Sequence, residues 1–129
     1  MATPFICIGA QKAGTTWLYV ALNKHPDIRL APFKELHYFD EKWVPTGHYR
    51  IRLNSLAAVL EKYRTQKQPY RSPSTDLVSL CDFFTIHDDT SYKNYLIRHS
   101  RGSEVFGEVT PDYVLLPPEG FANIQDVLP

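Results

Sequence analysis

One stretch restricts the fold more than any other: "PFICIGAQKAGTTWL", Pro4 to Leu18. Phe5 to Ile8 is a short, continuous apolar run between Pro4 and Gly9. Such a run fits a strand buried on both faces, as in a parallel sheet. Behind it come Gly9, Lys12, Gly14, Thr15 and Thr16. Glycines let backbone N–H groups converge on a ligand with no Cβ in the way. Thr15 or Thr16 can cap the helix that follows, and Trp17, Leu18, Ala21 and Leu22 supply its apolar stripe. The open N–H groups and dipole at the start of such a helix favour an anion. Pro26 predicts the helix to stop before "HPD".

The rest of the chain continues the pattern. Ile28 to Ala31 reads as a second short strand, ended by Pro32. "FKELHYFD" (Phe33 to Asp40) is too charged for a central strand and is expected to be a loop entering a short turn. Residues 41–52, with Pro45 and Gly47, read as irregular. Leu53, Leu56, Ala57, Leu60 and Tyr63 recur at helical spacing and predict an amphipathic helix over 53–64. Lys67 to Thr75 contains two prolines and reads as a loop, and Leu77 to Ile86 fits either helix or strand. A helix is expected over 90–99, a buried strand over Ser103 to Thr110, a loop through "PDYVLLPPEG", and a short helix from Phe121 to Leu128. Strands alternating with helices indicate an α/β domain with a short parallel sheet flanked by helices. The chain stops at "IQDVLP", where another strand is expected, so residues 1–129 read as one partial domain, either short of a C-terminal half or completed by a partner chain.

Composition narrows the function. The 14 basic and 14 acidic residues cancel to a formal charge of +0. A general nucleic-acid or membrane-surface binder normally carries a basic excess, so neither partner is expected and any anion site must be local. Two cysteines, Cys7 and Cys81, make no disulfide framework. The N-terminus has no basic n-region or signal-length apolar stretch, and no run approaches transmembrane length, so a cytoplasmic protein is expected. No His/Cys cluster has metal-ligand spacing, and no metal is expected.

The loop is not a Walker A motif, G-x-x-x-x-G-K-[ST]. Gly9 and Gly14 have the right separation, but Thr15 stands where the lysine belongs and the lysine is Lys12. No apolar run ending in aspartate follows to serve as Walker B. "IGAQKAGTTWL" instead resembles the 5′-phosphosulfate loop of sulfotransferases, which use 3′-phosphoadenosine 5′-phosphosulfate (PAPS). "PFKELHYFD" resembles the E-x-H-[FY]-F segment of the carbohydrate-type and bacterial branches, and "GEVTPDYVLLP" their G-E-x-[ST]-P-x-Y segment. The three blocks stand in the family's order and imply a P-loop-like three-layer fold.

The resemblance implies a role for each matched residue. The cofactor falls to Gln11, Lys12, Ala13, Gly14, Thr15, Thr16 and Trp17. Lys12 would stabilise charge on the bridging oxygen as sulfuryl leaves, and the amides of Ala13 to Thr16 with the two hydroxyls would hold the 5′-phosphate. Trp17 would lie near the adenine; a core position in the first helix is the other reading. Glu35 would be the general base that deprotonates a hydroxyl or amine acceptor. Its other reading is a solvated glutamate beside Lys34. His37 would position substrate or tune Glu35, or else be a structural histidine. Glu108 and Tyr113 would line the cleft for a small-molecule or carbohydrate acceptor; the alternative for "TPDY" is a strand exit with a buried tyrosine. Val109 follows Glu108 where some relatives have lysine, so Lys12 must act alone. Nothing after Pro111 supplies the arginine and serine that hold the 3′-phosphate in the family. Two further readings stand: a P-loop nucleotide kinase or NTPase, and a non-catalytic nucleotide-binding fragment.

Overall fold

The computed structural model describes residues 2–65 and 77–129. Three parallel strands, β1 (Thr3–Cys7), β2 (Ile28–Leu30) and β3 (Val105–Val109), form one sheet in the order β1-β3-β2. Six helices accompany it: α1 (Thr15–Leu22), α2 (Tyr38–Trp43), α3 (His48–Thr65), α4 (Leu77–Phe83), α5 (Asp89–Ser100) and α6 (Pro118–Val127). A 3-10 turn spans Pro111–Leu115 between β3 and α6. The expected small α/β domain, with its short parallel sheet flanked by helices, is therefore present. The loop expected over Lys67 to Thr75 lies outside the described residues.

β3 is the central strand, and all of it after Val105 is buried. β1 is an edge strand and only half-buried, which corrects the expectation of burial on both faces: Phe5 to Cys7 gain a neighbour on one side alone. Gly107 of β3 pairs with both Phe5 and Leu30. A Cβ placed on it would stand 1.6 Å from the Phe5 carbonyl oxygen, so only glycine allows β1 to approach this closely.

The core is aromatic. α5 begins with a capping box, in which the Asp88 side chain accepts from the Ser91 amide and the Ser91 hydroxyl accepts from the Asp88 amide. Helical spacing then turns Tyr92, Tyr95 and Leu96 to one side, where they pack with Leu36, Phe39, Phe83 and Tyr113.

Several local expectations change. α1 is capped by Gly14 in the left-handed region, not by either threonine side chain. Phe33 to His37 form a loop as expected, but the short turn expected at its end is the start of α2 (Tyr38–Trp43). Its first amides find a remote partner: the Tyr113 hydroxyl accepts from Tyr38 N–H at 3.1 Å and from Phe39 N–H at 3.5 Å. Residues 41–52 are largely helical, because Pro45 and Gly47 precede α3 rather than interrupt it and the Thr46 hydroxyl accepts from the His48 amide. Leu77 to Phe83 resolves as helix. Much of "PDYVLLPPEG" is also ordered as helix: the 3-10 turn opens it, and α6 begins at Pro118 rather than near Phe121. Among the described residues, no helix is long and apolar enough to cross a membrane.

Candidate functional site

Parallel strands deliver their following segments to the same end of a sheet, where ligands of open α/β sheets bind. Here those segments are the glycine loop after β1, residues 31–37 after β2, and Thr110 to Asp112 after β3. Hydrogen bonds tie them together. Glu35 N–H donates to the Val109 carbonyl at 2.7 Å, Leu36 N–H to the Thr110 hydroxyl at 3.0 Å, and Thr110 N–H to the Cys7 carbonyl at 3.1 Å. The Gln11 side-chain amide donates to Asp112 Oδ1 at 2.8 Å. A cleft of about 310 Å³ opens between them, lined by Gln11, Glu35, His37, His48, Ile51, Arg52, Ser55 and Asp112.

Backbone strain concentrates here. Among the described residues, four non-glycine residues have positive φ: Lys12 at 56°, Glu35 at 67°, His37 at 58° and Arg101 at 51°. Three of these four are the residues singled out from the sequence as catalytic. A side chain in the left-handed region costs roughly 1–3 kcal/mol and persists where the surroundings over-determine it, which occurs most often at functional sites.

The loop itself is open to solvent. Gln11 to Gly14 are exposed, and Lys12 makes no ion pair among the described residues. Gly14 has φ 82° and contributes no side chain, so the first N–H groups of α1 carry no side-chain cap and remain available to an anion. Thr15 is buried and Thr16 exposed. Trp17 is 73% exposed, so it is not a core residue of α1. Lys12 does not line the cleft; Gln11, its neighbour, does.

Glu35 sits at the cleft wall between two cations. Lys34 Nζ lies 3.1 Å from Oε1 and Arg52 Nη2 lies 3.6 Å from Oε2. Arg52 also reaches back along the main chain, donating to the carbonyls of Lys34 at 2.8 Å and Glu35 at 3.1 Å. α3 thereby fixes the path of the Glu35 segment.

Beyond Glu35 lies a group that sequence spacing did not reveal. His37 Nδ1 is 3.0 Å from Asp40 Oδ2 and 3.6 Å from Asp112 Oδ2. His48 Nδ1 bonds directly to Asp112 Oδ2. That hydrogen bond raises the His48 imidazole above its ordinary value, against a smaller opposing effect of burial. Burial pushes the Asp112 carboxyl up, but Gln11 and His48 together hold it below the usual aspartate value. His37 and Asp40 are three apart, a helical spacing visible only once α2 is known to exist, while His48 and Asp112 are 64 apart.

Glu108 and Tyr113 stand elsewhere. Both are fully buried. Glu108 accepts from Tyr113 Oη at 2.7 Å, from Thr110 Oγ1 at 2.6 Å and from Tyr92 Oη. Burial raises its carboxyl, and the three hydroxyls oppose that rise. The pair ties β3 to α5 and α2 instead of lining the cleft, which favours the buried-tyrosine reading of "TPDY". A second cleft of about 660 Å³, lined by Tyr38, Lys42, Tyr49, His87 and Asp89 among others, contains none of the residues singled out from the sequence.

No family model, no curated protein and no solved structure matches this chain.

Proposed function

We propose that this chain is a PAPS-dependent sulfuryl-transfer domain with a P-loop-like three-layer fold. One observation carries the reading: the glycine loop and the Glu35 segment leave parallel strands at the same end of the sheet and meet in one cleft through Gln11. The resemblance of "IGAQKAGTTWL", "PFKELHYFD" and "GEVTPDYVLLP" to the family's segments supports it from the sequence side.

In this reading the amides of Ala13 to Thr16 and the threonine hydroxyls hold the 5′-phosphate of PAPS, and the exposed Trp17 ring is free to stack on the adenine. The acceptor is a small-molecule or carbohydrate hydroxyl, or an amine. Its oxygen or nitrogen attacks sulfur, the bond from sulfur to the phosphate oxygen breaks, and the acceptor proton passes to the Glu35 carboxylate. Lys12 and the loop amides stabilise the charge on the leaving adenosine 3′,5′-bisphosphate. Preorganised donors of this kind contribute the largest share of many rate enhancements. His37 stands beside Glu35 and positions the acceptor.

Titration calorimetry with adenosine 3′,5′-bisphosphate tests the proposal. One binding site is expected, with affinity at least about tenfold weaker in Lys12→Ala, the loss of one charge-assisted contact. Absence of binding, or equal affinity in the variant, overturns it. Magnesium-dependent ATP turnover would instead assign the loop to a nucleotide kinase or NTPase.

A further inference from the structure

Four side chains from three separate parts of the chain converge at the back of the cleft. His37 immediately precedes α2, Asp40 lies within α2, His48 opens α3, and Asp112 lies in the turn after β3. One potential ligand atom from each falls within 4.8 Å of all the others. We propose that His37, Asp40, His48 and Asp112 form a binding site for a divalent transition metal, with zinc as the best fit.

The donor set points to that class of ion. Two imidazoles and two carboxylates suit zinc and its neighbours in the first row, whereas magnesium and calcium take oxygen ligands almost throughout. Zinc binds imidazole nitrogen and carboxylate oxygen at about 2.0–2.2 Å, so tetrahedral ligand atoms stand roughly 3.2–3.6 Å apart. The 3.6 Å from His37 Nδ1 to Asp112 Oδ2 falls within this range, and the 3.0 Å to Asp40 Oδ2 lies just below it, so small shifts of these side chains would accommodate the ion. Both Nδ1 atoms face carboxylate oxygens, so an ion entering the group displaces or relocates the protons between them.

Two further observations set the group apart from a pair of ordinary His–Asp contacts. The first is its outer support. Thr46 Oγ1 donates to Asp40 Oδ2 at 3.0 Å, and the Gln11 amide donates to Asp112 Oδ1 at 2.8 Å. Metal-ligating carboxylates are usually oriented by such partners. The second is an unmet demand. Asp40 is completely buried, yet its Oδ1 has no hydrogen-bond partner among the described residues. An unpaired buried carboxylate oxygen is costly, and coordination is one of the few ways to compensate it. His37 is held at φ 58°, a conformation that aims its ring into the group at the expense of backbone strain.

His37, His48 and Asp112 also line the cleft assigned to the acceptor, so the two readings are tested apart: metal binding is read directly, and adenosine bisphosphate binding is measured separately. The experiment uses the full chain after treatment with a chelator, titrated first with Co²⁺ and then with Zn²⁺. One equivalent of Co²⁺ is expected to produce the visible absorption of a tetrahedral nitrogen–oxygen site, and one equivalent of Zn²⁺ to abolish it. His48 is exposed at the start of α3, so His48→Ala should keep the fold by circular dichroism and weaken Co²⁺ binding by at least about tenfold. Asp112→Asn, nearly isosteric, should do the same if His48→Ala fails to fold. His87→Ala, on the exposed approach to α5, should change nothing. No tetrahedral spectrum at one equivalent, or unchanged affinity in a folded ligand variant, overturns the proposal.

Discussion

Gly107→Ala tests the sheet on which the site is built. The added Cβ would sit 1.6 Å from the Phe5 carbonyl oxygen and 2.6 Å from its carbon. Ordinary contact begins near 3.4 Å, so the β1 backbone must retreat by about 1.8 Å. Both obstructing atoms are main chain, and no rotamer change relieves them. A hydrogen bond of about 2.9 Å stretched by that much is broken. The ladder bonds flanking Phe5 are therefore lost, two or three of them, at roughly 1 kcal/mol each plus the penalty for amides left buried. A destabilisation of about 3–5 kcal/mol follows, a large fraction of the roughly 5–15 kcal/mol that holds a domain together. For a chain of this size the melting midpoint should fall by at least about 10 °C. Differential scanning calorimetry of the two proteins measures it. A fall of less than about 3 °C would mean that β1 does not pair with β3 in the Phe5–Gly107 register, and the glycine loop would lose its assigned place.

Three other perturbations address the chemistry and the core. Glu35→Gln should lower sulfuryl transfer by about 10²–10⁴-fold, the usual contribution of a general base, while leaving adenosine bisphosphate affinity within a factor of two or so; a collapse in affinity would place Glu35 on the cofactor side. Tyr113→Phe removes the donor to Glu108 and the acceptor for the Tyr38 amide, and should cost about 1–3 kcal/mol in urea unfolding; an unchanged midpoint would refute the capping of α2. The third concerns pH. Burial lifts the folded-state value of Glu108 above the usual 4.5, so the folded protein retains that proton longer than the unfolded chain. Its contribution is full below about 4.5 and declines as pH rises through the folded value. Glu108→Gln cannot ionise and should flatten that part of the stability curve from about pH 4.5 upward; an unaltered slope would exclude Glu108 as its source.

The first strand, the loop and the first helix were legible because one short segment carries all three signals: an apolar run, two glycines and a helix start. β3 was legible for a similar reason, since "SEVFGEVT" is apolar enough to be central. α2 was not. Its cap comes from Tyr113, 75 residues along the chain from Tyr38, and no local pattern announces such a partner. The start of α3 was hidden by Pro45 and Gly47, which break a pattern when read in line but here bring the chain up to Thr46 and the helix. Glu35 and His37 were found through motif likeness, and both line the cleft. Asp40, His48 and Asp112 were missed because their proximity is a product of the fold. Glu108 was singled out by the same likeness, yet its surroundings are three hydroxyls inside the core.

The shared direction of the three strands also divides the molecule into two poles. The cleft occupies one. At the other, residues 24–27 before β2 and Arg101–Gly102 before β3 are exposed turns, with Arg101 and Gly102 both at positive φ. A fluorophore, an affinity handle or a grafted peptide placed in either turn projects away from the cleft. The protein can thus be tethered or labelled at that pole with the cleft left free.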